Sequence, residues 1–176
     1  MLSNARIAIS GKSGCGNSTV SRLLANKLGL PLINYTFHSI AEELSIDFDE
    51  LCRLAETDSK WDRMVDEKQI QLANQGPCVL GSRLAIWIWR DANLRIFLDA
   101  PLEIRASRIH QREGGDLDQV YEKTKLRDQR DHDRYLRLYG INNDDFSIAD
   151  FVIDTSHLTP EQIIQIIIDK YIAKNS

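Results

Sequence analysis

Arg6-Ile7-Ala8-Ile9-Ser10-Gly11-Lys12-Ser13-Gly14-Cys15-Gly16-Asn17-Ser18-Thr19 joins an apolar run, a glycine-rich turn and the opening of a helical pattern without a break. The run reads as a buried strand. Val20, Leu23, Leu24 and Leu28 then follow at helical spacing up to Gly29, a C-cap residue. From Gly11 to Ser18 the layout is G-x-x-x-x-G-K-[ST] with one departure, because Asn17 stands where that pattern has lysine. Glycines let successive backbone N–H groups turn into one concavity that holds phosphate oxygens, and the helix N-terminus adds a favourable dipole. Residues 11–19 are therefore expected to cradle nucleotide phosphates, with the Ser18 hydroxyl on Mg²⁺. The plainer alternative, a strand-to-helix turn without ligand, fits the motif and its context less well. Asparagine donates a hydrogen bond but brings no charge. Lys12 either supplies the missing cation from the first variable position of the loop or is a solvated surface lysine, and the residues leave both readings open.

Outward from the loop, short apolar runs alternate with helical patterns. Leu32-Ile33, Cys78-Val79-Leu80, Leu94 to Leu98 and Phe151-Val152-Ile153 read as further strands. Helices are expected around Ile40 to Leu44, around Phe48 to Ala55, from Lys60 to Asn74 under an Asp58 cap, and from Arg83 to Trp89. Pro101 suits the first turn of another helix, and Gly114-Gly115 interrupts before a strongly charged helix that runs to about Tyr139. Thr159-Pro160-Glu161-Gln162 has the form of a capping box and opens the last helix. This alternation predicts an α/β fold with a five-stranded parallel sheet covered by helices on both faces. A mobile loop is expected over residues 113–118.

The 176 residues suit one domain, 43% apolar and 27% charged. No 18-residue apolar run is present, and Met1-Leu2-Ser3-Asn4-Ala5-Arg6 runs straight into the first strand, so neither a transmembrane helix nor a signal peptide is expected. Cys15, Cys52 and Cys78 are odd in number and lack metal-ligand spacing, which favours a reduced, cytoplasmic setting. A net charge of −4 argues against broad nucleic-acid binding. Yet seven of the fourteen arginines lie between Arg105 and Arg137, which leaves room for a focused anion site. Trp87 and Trp89 read as packing residues, and the four histidines form no ligand set. Asp99 and Asp154 close strands at the carboxyl edge, where open α/β sheets bind ligands, with a structural role equally open for Asp154.

Taken with the loop, Ile96-Phe97-Leu98-Asp99-Ala100-Pro101, the arginine-rich stretch and Phe151-Val152-Ile153-Asp154-Thr155-Ser156 make the chain resemble the cytidylate kinases over residues 5–173. It looks closest to their short, archaeal-like branch, and the loop resembles spirochaete versions. The resemblance implies a nucleoside monophosphate kinase fold, with a monophosphate-binding region near residues 34–75 and a helical lid near 105–137. It implies ATP and Mg²⁺ as cofactors, CMP or dCMP as acceptor, and a monomer that partners small nucleotides only. Gly81-Ser82-Arg83-Leu84-Ala85 matches a Glu-Gly-Arg-Leu-Ala-like stretch, which implies that Arg83 binds the acceptor phosphate. The acidic residue of that stretch is absent here, as is an arginine expected early in the first helix of the monophosphate region, where His38-Ser39-Ile40-Ala41-Glu42-Glu43 stands. Arg105-Ala106-Ser107-Arg108 and Arg112-Glu113-Gly114 match the lid flank, so Arg108, Arg112 and Arg127 are expected, with Lys12, to meet the moving phosphoryl. Arg127-Asp128-Gln129-Arg130-Asp131-His132-Asp133-Arg134 matches the family's arginine helix and implies that Arg127, Arg130, Asp131 and Arg134 bind substrate.

Without the resemblance, Arg127, Arg130, Arg134 and Arg137 still share one helical face beside Asp131. A solvated helix laced by Arg127–Asp131 and Arg130–Asp133 pairs is the plainer account. The guanidinium fork suits phosphate oxygens, and the phosphate loop in the same chain favours the functional account. The leading expectation is a (d)CMP kinase. The alternatives are a kinase for another small acceptor, such as AMP or a small alcohol, and a catalytically silent nucleotide-binding module.

Overall fold

The computed structural model describes residues 4–175, and Met1, Leu2 and Ser3 of the N-terminal reading lie outside them. Five strands form one parallel sheet in the order β2-β3-β1-β4-β5. They are β1 (Arg6–Gly11), β2 (Leu32–Ile33), β3 (Cys78–Gly81), β4 (Leu94–Asp99) and β5 (Phe151–Asp154). The predicted α/β architecture is the observed one. The central strand β1 pairs with β3 through Ile9↔Gly81 and with β4 through Gly11↔Leu98. Its end, and the turn that follows, therefore lie in the middle of the carboxyl edge of the sheet.

Period-2 alternation divides the core. Ile7, Ile9, Val79, Ile96 and Leu98 face one side. There they pack on Val20 and Leu24 of α1 (Asn17–Leu28) and on Ile163, Ile164, Ile167 and Tyr171 of α8 (Pro160–Lys174). Ala8, Leu80 and Phe97 face the other side, against Ile86 of the short α5 (Ala85–Ile88) and Trp89, its C-cap. Phe146 stacks on Phe97 there, with centroids 4.4 Å apart. Trp89 is fully buried, with its indole N–H on Asn74, and Trp87 meets Phe97 edge-on, so both tryptophans pack the interior as expected. A third cluster, Ile40, Ala41, Leu51, Trp61 and Val65, joins α2 (Phe37–Leu44), α3 (Phe48–Thr57) and α4 (Lys60–Ala73).

Local chemistry accounts for most element ends. Gly29 closes α1 at φ 64°, its N–H on the carbonyls of Ala25 and Asn26. The Thr159–Gln162 capping box forms as read. Small differences follow from the caps. Pro101, expected in the first turn of α6 (Leu102–Glu113), is its N-cap, one residue earlier. Ser59 is the N-cap of α4, while the Asp58 carboxylate still accepts from the Lys60 N–H. The segment expected as a loop over 113–118 is a three-residue connection. Gly114 ends α6, and the Asp116 carboxylate accepts from the Gln119 N–H to start the 23-residue α7 (Leu117–Tyr139). Among the described residues no helix is long and apolar enough to cross a membrane.

Candidate active site around the phosphate loop

The turn after β1 is shaped by its glycines. Gly14 and Gly16 lie at φ 85° and 92°, a region that L side chains rarely enter. A Cβ on Gly14 would also come within 2.7 Å of the Arg105 carbonyl oxygen, because α6 presses against the loop there. Gly16 is the N-cap of α1 and Asn17 its first residue, so the free N–H groups of that helix face the cavity the loop encloses. Residues 11–20 line a cleft of about 520 Å³. The strand order divides its walls. Tyr35, Thr36, Gln69, Gly81, Ser82 and Arg83 follow or adjoin β2 and β3 on one side. Leu158, Pro160 and Ile163 follow β5 on the other, and Arg108, Arg112 and Arg127 complete the lining.

Three arginines tie this cleft together. Arg83 donates to the Ser13 hydroxyl at 2.7 Å and forms an ion pair with Asp131 on α7. Asp131 holds Arg134 at 3.0 Å, and Arg134 reaches Asp62 of α4 at 3.4 Å. A single polar chain thus runs from the loop through α7 to α4. Burial lowers the proton affinity of Arg83, with Arg127 and Arg134 as further like charges nearby. Arg105 is buried and donates to the Ala100 and Ser13 carbonyl oxygens and to Asp128 of α7. Arg108 donates to the Gly14 carbonyl oxygen at 3.4 Å and to the Thr155 hydroxyl and carbonyl at 3.0 and 2.5 Å. Arg112 is bound, among the described residues, only to Glu113, next to it.

The local pairs expected on α7 do not form. Asp131 pairs with Arg83 and Arg134 rather than Arg127, and Asp133 accepts from Gln129 rather than pairing with Arg130. A tertiary arginine 48 positions away competes better for Asp131 than a neighbour on its own helix, because it is half-buried and already held by Ser13. Arg127 is left unpaired among the described residues, at the wall of the loop cleft. Arg130 and Arg134 face a second cleft of about 830 Å³ between α3, α4 and α7, which Asp62 also lines. Asp154 accepts from both the N–H and the hydroxyl of Ser156, which fixes the turn after β5.

The departures at positions 17 and 81 meet in space. The Asn17 carbonyl oxygen accepts from the Ser21 hydroxyl at 3.1 Å, one turn on in α1. A Cβ on Gly81 would lie 2.4 Å from that Ser21 oxygen and 3.5 Å from the Asn17 oxygen. The space for an acidic side chain at 81 is occupied by the buried serine that orients Asn17. Lys12 lines the cleft, but its ammonium is turned to a carboxylate. Its ammonium lies 2.5 Å from Asp144, which also contacts His132 Nδ1 at 3.0 Å. The Lys12 hydrogen bond holds the Asp144 carboxyl below the usual aspartate range. Asp144 lies in the connection between α7 and β5 and carried no sequence signal, since its partner is 132 residues away. Arg105 was visible only as part of a motif, without its role as the strut behind the loop.

A parallel five-stranded sheet with a phosphate loop at the end of its central strand and arginine-bearing helices over that loop defines the small P-loop kinases as a class. Solved structures share this fold. A shikimate kinase from Acinetobacter baumannii superposes with a TM-score of 0.60 at 14% identity, over 95% of this chain and 92% of that one. A deoxyadenosine kinase from M. mycoides gives 0.57 at 15% identity, over 95% and 98%. Within that class the chain belongs to the cytidylate kinase-like family, whose model matches residues 6–157. It is 45% identical to cytidylate kinase 2 of Borreliella burgdorferi over 97% of each chain. It is 37% identical to a cytidylate kinase of Pyrococcus horikoshii, over 92% of this chain and 85% of that one.

Proposed function

We propose that this chain is a phosphotransferase that moves the γ-phosphoryl group of ATP to CMP or dCMP, giving ADP and CDP or dCDP. The observation that carries the reading is the glycine-shaped phosphate loop flanked by arginines from β3, α6 and α7 in a chain of the cytidylate kinase-like family. An oxygen of the acceptor phosphate attacks the γ-phosphorus, and the bond to the β-phosphate oxygen breaks to release ADP. The protein supplies position and charge for that transfer. Residues 11–19 hold the ATP phosphates through backbone N–H groups. Ser18, at the start of α1 with no hydrogen bond to its hydroxyl among the described residues, would help hold a Mg²⁺, which would supply charge against the phosphates. Arg83 takes the acceptor phosphate once it exchanges Asp131 for it, with Arg127, Arg130, Asp131 and Arg134 around the acceptor. Arg108, Arg112 and Lys12 meet the transferred group. Residues 34–75 serve as the monophosphate region and 105–137 as the lid of a cytoplasmic monomer.

A coupled assay of ADP release against CMP, dCMP, UMP, AMP, GMP and shikimate tests the reading. Turnover is expected with CMP or dCMP, and its absence with both removes the assignment. One observation favours a second reading. With Asn17 at the lysine position and Lys12 bound to Asp144, the loop has no free cation of its own. A silent nucleotide-binding module would bind ATP in calorimetry and turn over no acceptor of the panel.

A further inference from the structure

Gln69 lies on the β2–β3 side of the loop cleft, in the third turn of α4, and is 6% exposed. Its side-chain amide has one assignable orientation. The Nε2 group donates to the Tyr35 carbonyl oxygen at 2.7 Å, a partner that can only accept. The other end, Oε1, is buried and has no hydrogen-bond partner among the described residues. Buried polar atoms are nearly always paired, and each exception in a native fold calls for an explanation. Ser82, on the same wall, carries a second buried side-chain oxygen without a partner among the described residues. The neighbouring side chain is Arg83.

The chemistry of these groups separates two parts of one ligand. A carbonyl oxygen of an amide accepts hydrogen bonds only, so Gln69 Oε1 repels phosphate oxygens and attracts a neutral O–H or N–H donor. Arg83 does the reverse. A nucleoside monophosphate carries both kinds of group in one molecule, with ribose hydroxyls and, in cytosine, an exocyclic amino group as donors. Leu158, Pro160 and Ile163, beyond β5 on the opposite side of the loop, offer the apolar surface that suits the ATP base and leave this wall to the acceptor. We infer that Gln69 Oε1 is a specificity-determining acceptor for a neutral hydrogen-bond donor, hydroxyl or amino, of the nucleoside monophosphate whose phosphate is held by Arg83. This deepens the proposed reaction and rests on it.

Gln69→Met keeps the volume and removes the acceptor oxygen. The KM for CMP is expected to rise roughly 5- to 50-fold, the scale of losing a hydrogen bond in a buried site, with the KM for ATP within twofold. The acceptor panel identifies the donor. Loss of the CMP-over-UMP preference marks the amino group, loss of the CMP-over-dCMP preference marks the 2′-hydroxyl, and an equal rise for all three marks the 3′-hydroxyl. Gln69→Glu separates ligand contact from scaffolding, because it keeps an acceptor oxygen but loses the donation to Tyr35. Its KM for CMP is expected within threefold of wild type, and it carries the test if Gln69→Met does not fold. Equal losses in the two variants would make Gln69 a scaffold for Tyr35 and overturn the inference. So would a CMP KM within twofold of wild type for Gln69→Met, or a rise above tenfold for Gln69→Glu. A wild type that neither binds nor phosphorylates any nucleoside monophosphate overturns the kinase reading along with it. Normal wild-type turnover with insensitive variants overturns the role of Gln69 alone.

Discussion

At the residue scale the cradle departs from its motif at one charge. A phosphoryl group in transfer spreads negative charge over its oxygens, and a preorganised cation set against it contributes a large share of the rate. Asn17 cannot provide that charge, and its amide is turned by Ser21. Lys12 can provide it only by leaving Asp144, to which it is bound at 2.5 Å. An exposed ion pair of this kind is worth little, ~0–1 kcal/mol, so a triphosphate competes with Asp144 for the ammonium at low cost. Lys12→Ala is therefore expected to lower kcat by about 10²–10³-fold, the scale of losing one preorganised donor, and Asn17→Ala by much less. A kcat within twofold of wild type for Lys12→Ala would show that the arginines and the metal ion carry the charge alone.

At the scale of elements, α6 does two jobs with neighbouring arginines. Its first turns are bolted to the loop, through buried Arg105 to Ser13 and Ala100 and through Arg108 to Gly14 and Thr155. Its last turn carries Arg112 on the surface, paired with Glu113. The two positions should separate in experiment. Arg112→Ala is expected to lower kcat without moving Tm, since an exposed pair contributes only ~0–1 kcal/mol. Arg108→Ala is expected to lower both, because a charged donor with buried carbonyl partners contributes about 1.5–3 kcal/mol. Thermal melts beside single-turnover rates check this, and an unchanged Tm for Arg108→Ala would mean that its bonds to Thr155 and Gly14 do not hold the fold.

For the molecule as a whole, the junction of α4 and α7 links stability to pH. Asp66 accepts from the Tyr139 hydroxyl at 2.6 Å, and burial pushes its carboxyl up to about 6, with Asp62 adding to the rise. An unfolded aspartate titrates near 3.9. Between about pH 4 and 6 the folded chain therefore keeps a proton that the unfolded chain has released, so the Asp66 contribution falls as pH rises through that window. Asp66→Asn keeps an acceptor for Tyr139 and removes the charge. It is expected to be more stable than wild type above pH 6, by about 1–3 kcal/mol, and to lose that advantage near pH 4. Urea midpoints at pH 4 and 7.5 measure it, and the same difference at both values would mean that Asp66 titrates normally.

The chain alone determined the architecture and the place of the loop. Strand and helix periodicity, the caps at Gly29 and Thr159 and the glycine spacing after β1 are local in sequence, and local steric and hydrogen-bonding rules read them directly. The arginines were equally visible as residue types on a shared face. Their partners were not. Asp131 turned to Arg83, Lys12 to Asp144, and Asn17 to Ser21 under Gly81. The Asp131–Arg83 and Lys12–Asp144 contacts join residues 48 and 132 positions apart. Which carboxylate meets which guanidinium depends on burial and on distances set by the packing of whole helices against the sheet. No spacing along the chain encodes such distances, so only the tertiary structure decided them.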